Sequence, residues 1–211
     1  MATSIVTWRI FCAIEIPATV RGLILQHIAD LKDAVPDARA SWAREATLHL
    51  TLKFLGEIPI TAVPTFSNAV ARAVAGVSHF SIRLNETGAF PKHGQPKVLW
   101  IGVEDLSRKL ADLQSRLEEE SEAAGYAKEE RPFHPHLTIA RLRDSRDAKA
   151  LARAHKEVQF EPVVIPVSEL VVIRSELSSA GSKYTAVSRH PFGVGGPVRA
   201  VGFGVEWPKE T

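Results

Sequence analysis

Leu48-His49-Leu50-Thr51-Leu52 and Pro135-His136-Leu137-Thr138-Ile139 are the two stretches around which the rest of the chain is organised. Each reads His-x-Thr-x, with an aliphatic residue at every x. Apolar and polar residues alternate, which is the period of a strand with one buried face. Residues i and i+2 of a strand share a face. Each segment therefore presents an imidazole beside a hydroxyl, while its Leu and Ile side chains point into a core. A ring that titrates near neutrality beside a hydrogen-bond donor is half of a site for a phosphoryl group. A lone histidine on a strand is most often structural. A second copy, with the same Thr offset and the same apolar surroundings, makes the pair a candidate site.

Composition narrows the class. The chain has 211 residues, 45% hydrophobic and 24% charged, as in an ordinary globular domain. Its net charge of +2 excludes a strongly basic coat, so any nucleic acid is held at one group or one end. The only cysteine, Cys12, sits in the apolar run Ile10-Phe11-Cys12-Ala13-Ile14, which fits a reducing compartment and a core thiol. The early residues lack the signal-peptide order, with Arg9 where an apolar region belongs, and no run of about 18 apolar residues is present. The expectation is a cytoplasmic monomer with no membrane segment.

Work on a phosphodiester needs a nucleophile and a leaving oxygen in line across phosphorus. One group must deprotonate water and another must protonate the departing oxygen. Two histidines suit both tasks, because their reference pKa of about 6.5 lies near neutrality. The threonines can donate to the non-bridging oxygens, where charge must be held. A zinc site built from His49, His134 and His136 is the chemical rival. The chain offers no His-Glu-x-x-His, no cysteine pair and no carboxylate beside either histidine. It also has no nucleophile elbow and no Gly-rich phosphate loop. Neither a metal nor a cofactor is expected.

In chain order, Thr7 to Ile16 reads as a strand. Val20, Leu23, Ile24, Ile28 and Leu31 mark an amphipathic helix. A short strand at Ala40 to Ala43 puts Trp42 in the core or the cleft wall. The first His-Thr strand then runs to about Leu55, with Gly56 as its turn. By parity Lys53 joins the face of His49 and Thr51, where it either helps neutralise a phosphate or stands in solvent, as most lysines do. A helix over Thr61 to Ala75 carries Pro64 in its first turn and ends at Gly76. Phe80 to Leu84 and Val98 to Val103 read as strands joined by a long loop through Gly88-Ala89-Phe90-Pro91, in which Phe90 is either buried or stacked on a base. Leu106, Leu110, Leu113 and Leu117 mark a helix. After the second His-Thr strand come a helix over Ser145 to Val158 and strands at Val163 to Val167, Leu170 to Leu177 and Tyr184 to Ser188. The tail over 193–211 has no assigned place. The order helix, His-Thr strand, helix, strands occurs twice, and the expectation is one 1–211 domain of two similar lobes: an α+β fold with two antiparallel sheets facing a central cleft and helices outside.

These residues resemble the 2H phosphoesterases, and within them the RNA 2′,3′-cyclic phosphodiesterases, also described as 2′-5′ RNA ligase-like. The resemblance rests on Arg9 to Pro17, Leu48 to Glu57, Gly88 to Pro91, Val98 to Val103 and Arg131 to Arg141, and it fades after Phe192. It implies a bilobal, pseudo-two-fold fold and conversion of RNA 2′,3′-cyclic phosphate ends to 2′-phosphomonoesters without a metal. It implies His49 as proton donor, His136 as proton acceptor, and Thr51 and Thr138 as the phosphate-binding residues. His134 departs from the Arg often found there in the family. Strict alternation places Arg141 opposite His136, so only a bulge brings it to the cleft. The same site suits 2′-5′ ligation or hydrolysis of small cyclic nucleotides. A non-catalytic RNA-end or nucleotide-binding module is the remaining alternative, although binding alone does not require two titratable groups.

Overall fold

The fold is taken from a computed structural model, which describes residues 5–143, 145–179, 181–193 and 199–200. Its organising strand is β1 (Thr7–Glu15), in which Ile10, Phe11, Cys12, Ala13 and Ile14 are all buried. A strand covered on both faces belongs in a sheet interior. Accordingly β1 pairs antiparallel with β3 (His49–Pro59) on one side and β8 (Glu169–Ser178) on the other. With β9 (Gly181–Pro191) and β10 (Arg199–Ala200) they form a five-stranded sheet in the order β10-β9-β8-β1-β3. The second sheet contains β2 (Ala40–Trp42), β4 (Phe80–Phe90), β5 (Val98–Glu104), β6 (His136–Leu142) and β7 (Val163–Val167), in the order β2-β6-β5-β4-β7. Its strands also pair antiparallel.

The sheets do not follow the two sequence halves suggested by the repeated order. The second takes β2, β4 and β5 from the first half, and the first recovers β8 to β10 from the C-terminal region. The interior position of β1 requires a neighbour on each side, and the first half supplies only β3. One continuous cluster, from Ile10 through Leu50, Leu99 and Leu137 to Leu170, spans both sheets.

The α-helices among the described residues are α1 (Ala18–Ala34), α2 (Val63–Val74), α3 (Lys109–Ala123) and α4 (Ser145–Glu157). Helix α1 buries Val20, Ile24, Ile28 and Leu31 at helical spacing, leaving Leu23 exposed. Pro64 occupies the first turn of α2, and Gly76 beyond its end takes a φ of +72°, the left-handed conformation that terminates a helix. Asp105 accepts from the amides of Leu110 and Ala111 at 2.9 and 3.0 Å, which fixes the start of α3. Leu106 therefore precedes that helix and is exposed, contrary to its place in the expected stripe.

Two expected turns lie inside strands. Gly56 sits within β3 with a φ of +73°, where the register against β1 slips by one residue. A left-handed glycine at such a point is a bulge, not a strand end. Gly88 to Phe90 lies in β4, because its backbone pairs with Val98 to Trp100, and the Lys97 amide closes the hairpin on the Phe90 carbonyl at 2.7 Å. Of the C-terminal tail, Arg199 and Ala200 pair with Arg189 and Ser188; residues 194–198 and 201–211 lie outside the described residues.

Candidate active site

The edge strand β3 meets β6 of the other sheet, and a cleft of about 600 Å³ opens there. His49, Thr51, His136 and Thr138 all line it. Leu50 and Leu137 point away and are fully or almost fully buried. The two half-sites expected from period-2 alternation thus face one space.

Beyond each threonine the strands depart from alternation in the same way. Opposite β3, Ala13 pairs with Thr51 and Cys12 with Lys53, so Leu52 is an extra residue. Opposite β6, Trp100 pairs with Thr138 and Leu99 with Ala140, so Ile139 is extra. Each is a β-bulge, and it reverses which face the following residues occupy. Leu52 and Lys53 are both buried, as are Ile139 and Ala140. Phe54 and Arg141 then return to the cleft lining.

The bulge corrects the reading of Lys53. It neither faces the phosphate site nor stands in solvent. It is 4% exposed, its ammonium lies 2.6 Å from Glu118 of α3, and it donates to the Ala127 carbonyl at 2.9 Å. Glu118 also accepts from the Glu129 amide and from Gln114. A buried charge is tolerated only when paired and hydrogen-bonded in this way. The corresponding bulge in β6 brings Arg141 into the cleft, where strict alternation would have excluded it.

Both catalytic candidates have a fixed orientation. His49 Nδ1 is 2.9 Å from the Thr47 carbonyl, and His136 Nδ1 is 2.7 Å from the His134 carbonyl. A carbonyl only accepts, so each Nδ1 carries a hydrogen. The neutral ring then has its lone pair on Nε2, and the charged ring has an acidic proton there. Two residues upstream, the backbone sets the tautomer of both histidines.

Their surroundings differ. His49 lies between Phe11, with ring centroids 4.7 Å apart, and Tyr184, edge-on at 5.1 Å. Burial in this slot pushes its pKa down to about 4, although the Thr47 carbonyl and then Glu15 pull it upward. His136 touches Phe90 edge-on at 5.1 Å and also borders a second cavity of about 400 Å³. Phe90, Trp100, Lys92 and the exposed His134 line that cavity. The Trp100 indole lies so close to Gly88 that a Cβ there would be 2.2 Å from the ring. Glycine is thus required beneath this aromatic wall.

The register partners of the histidines differ as well. Glu15 of β1 stands opposite His49, and Gly102 of β5 stands opposite His136. Three further cleft residues escaped the sequence reading. Phe54 has Arg9 stacked 4.6 Å above it, and Tyr184 arrives from β9. Arg9 and Phe54 lie within segments that carry the resemblance, but only the bulge aims Phe54 inward. Tyr184 carried no sequence signal, because its contact with His49 joins residues 135 positions apart (184 − 49). Trp42 forms part of the cleft wall, as one of its two expected places.

A family model described as the 2′-5′ RNA ligase superfamily matches residues 22–178. A Methanothermobacter thermautotrophicus protein named RNA 2′,3′-cyclic phosphodiesterase is 32% identical over 180 residues, covering 84% of this chain and 95% of its own. A Thermotoga maritima protein of the same name is 30% identical over 191 residues, covering 90% and 98%. Among solved structures, E. coli LigT complexed with 3′-AMP superposes with a TM-score of 0.70 at 27% identity, covering 89% of this chain and 99% of that one.

Proposed function

The chain belongs to the 2′-5′ RNA ligase superfamily, and from that premise we propose that it hydrolyses RNA 2′,3′-cyclic phosphate ends to 2′-phosphomonoesters. The observation that carries the reading is the convergence of two tautomer-fixed imidazoles and two threonines on one cleft. Thr51 and Thr138 hold the non-bridging oxygens by hydrogen bonds. Arg141, turned inward by its bulge, adds positive charge to that lining. His136 Nε2 takes a proton from water as the water oxygen bonds to phosphorus. The bond from phosphorus to O3′ breaks, and His49 Nε2–H protonates that oxygen. The 2′-phosphate remains, and exchange with solvent restores both rings. Each of these acid–base roles contributes on the order of 100- to 10,000-fold, and the scheme calls for no metal.

The low pKa of His49 makes its ring neutral at pH 7 while the cleft is empty. The donor role therefore requires the substrate anion to draw a proton onto it, as an opposite charge nearby does. The same observation favours a second reading, in which His49 is the base and His136 the acid.

Both half-sites come from one chain, so a monomer is complete. The buried lone cysteine suits the cytoplasm. No helix among the described residues is long and apolar enough to cross a membrane. The test is purified protein with a 2′,3′-cyclic-phosphate-ended oligonucleotide in EDTA. The expected product carries a 2′-phosphate. Absence of turnover, or turnover only after metal is added, would overturn the proposal.

A further inference from the structure

The two half-sites are alike in strand, bulge and tautomer, yet acid and base must behave differently. We infer that Glu15 is a positioning residue that favours the proton-donating form of His49 when an anion occupies the cleft. The inference rests on the donor role proposed for His49.

Directly paired residues on antiparallel strands share a face, with Cβ atoms about 4.5–5.5 Å apart. The register of β1 and β3 makes Glu15 the partner of His49, and both line one small cavity. The equivalent position beside His136 is Gly102, which has no side chain. Register therefore places a carboxylate opposite one histidine and no side chain opposite the other, where the carboxylates of Glu86 and Glu104 line the adjoining cavity without being strand partners of His136. Gly102 cannot readily acquire a side chain, because a Cβ there would lie 2.8 Å from the Asn85 carbonyl oxygen.

Glu15 is held by Arg189 at 2.8 Å, but it is not simply neutralised. Arg189 also pairs with Glu169 at 2.6 Å, so two carboxylates share one guanidinium and the cluster carries a net negative charge. Arg21 and Glu45 face the same cavity as a mutually paired couple at 3.4 Å. Phe11 and Tyr184 form the slot itself. Arg9, Arg44 and Arg141 face His49 from the rest of the cleft, and their positive charge opposes its protonation; His136 faces it there as well. Glu15 is thus the carboxylate placed by strand pairing to counter both burial and these cations. That field raises the share of imidazolium at neutral pH, which is the form a general acid needs at the start of each turnover.

Glu15→Gln keeps the shape and can still accept from Arg189, but removes the charge. Two measurements decide the matter. The first is an NMR titration of the His49 ring with the cleft saturated by inorganic sulfate. The expected midpoint falls by about 0.3–1 pH unit, a two- to tenfold loss of imidazolium. An unchanged or raised midpoint overturns the inference. The second compares kcat/KM at pH 7 for a nucleoside 2′,3′-cyclic phosphate and an aryl phosphodiester. The alkoxide leaving group needs a proton and the aryloxide does not. A loss of about two- to tenfold confined to the cyclic substrate supports the inference, and equal losses on both substrates overturn it. Glu15→Asp, which keeps the charge, restores most of the ratio. Failure of the proposed function would appear as wild-type protein that hydrolyses no cyclic phosphate, while the NMR titration would still report on Glu15.

Discussion

From His49 to Phe54 and from His136 to Arg141 the chain follows the same course. Imidazole and hydroxyl face the cleft, two consecutive residues are buried after a bulge, and the next side chain returns to the cleft. What surrounds these segments differs. One imidazole is held between Phe11 and Tyr184 with Glu15 opposite, and the other stands beside Gly102 and an aromatic-walled cavity. The buried positions differ too: Lys53 forms an ion pair, whereas its counterpart Ala140 only packs. Repetition of a strand supplies the four reacting groups. The neighbours, drawn from other parts of the chain, determine how each group titrates and what it touches.

The largest expected effect separates the two histidines. His49→Ala should lose on the order of 100- to 10,000-fold in kcat/KM on a cyclic phosphate. Most of that loss should disappear on an aryl phosphodiester, whose leaving group needs no proton. His136→Ala should lose on both substrates, because water must be activated in either case. Steady-state kinetics of the two variants on the two substrates test this. The opposite pattern of rescue would exchange the roles, and equal rescue of both would dissolve the distinction.

The next effect concerns the residues behind the bulges. Lys53→Ala leaves Glu118 buried with its charge unmatched, which should cost about 3–5 kcal/mol of stability in urea unfolding. Replacing both partners with apolar residues, as in Lys53→Met with Glu118→Leu, should recover most of the loss. If Lys53→Ala instead reduces turnover at unchanged stability, the lysine acts on the substrate and the bulge has been misjudged.

The smallest effect is on acid stability. Burial depresses the pKa values of His49, His155 and His190 from the ordinary 6.5 to about 4, and it lowers that of His27. Between about pH 6.5 and 4 the unfolded chain therefore binds more protons than the folded one. Stability should fall as pH drops through that window, by about 1–3 kcal/mol for each strongly shifted ring. His155 and His27 are linked at 3.0 Å, and His155 donates to the Trp100 carbonyl at 2.9 Å, so these two should contribute as a coupled pair. Urea midpoints at pH 7, 5.5 and 4.5 measure the fall. His49→Gln should flatten part of it, and an unchanged slope would show that His49 is not depressed by its aromatic slot.

Local patterns were legible where a short period dictates the outcome. Alternation in Leu48–Leu52 and Pro135–Ile139 foretold which side chains share a face, helical spacing located α1, and Pro64 and Gly76 bracketed α2. Gly56 and Gly88 were misread because glycine serves turns, bulges and close backbone contacts equally well. A bulge leaves no distinctive composition in these segments, so Lys53 was expected on the wrong face and the side of Arg141 stayed conditional on a bulge.

The sequence by itself determined the chemistry available here: two His-Thr pairs, each on a strand with one apolar face. It did so because strand period is a property of the backbone and needs no partner. Tertiary structure alone decided that β8 completes the sheet around β1, that Tyr184 closes on His49, and that Lys53 turns inward to Glu118 while Arg141 turns toward the cleft. These outcomes depend on pairing register and on burial among residues far apart in the chain, and neither quantity exists until the sheets have formed.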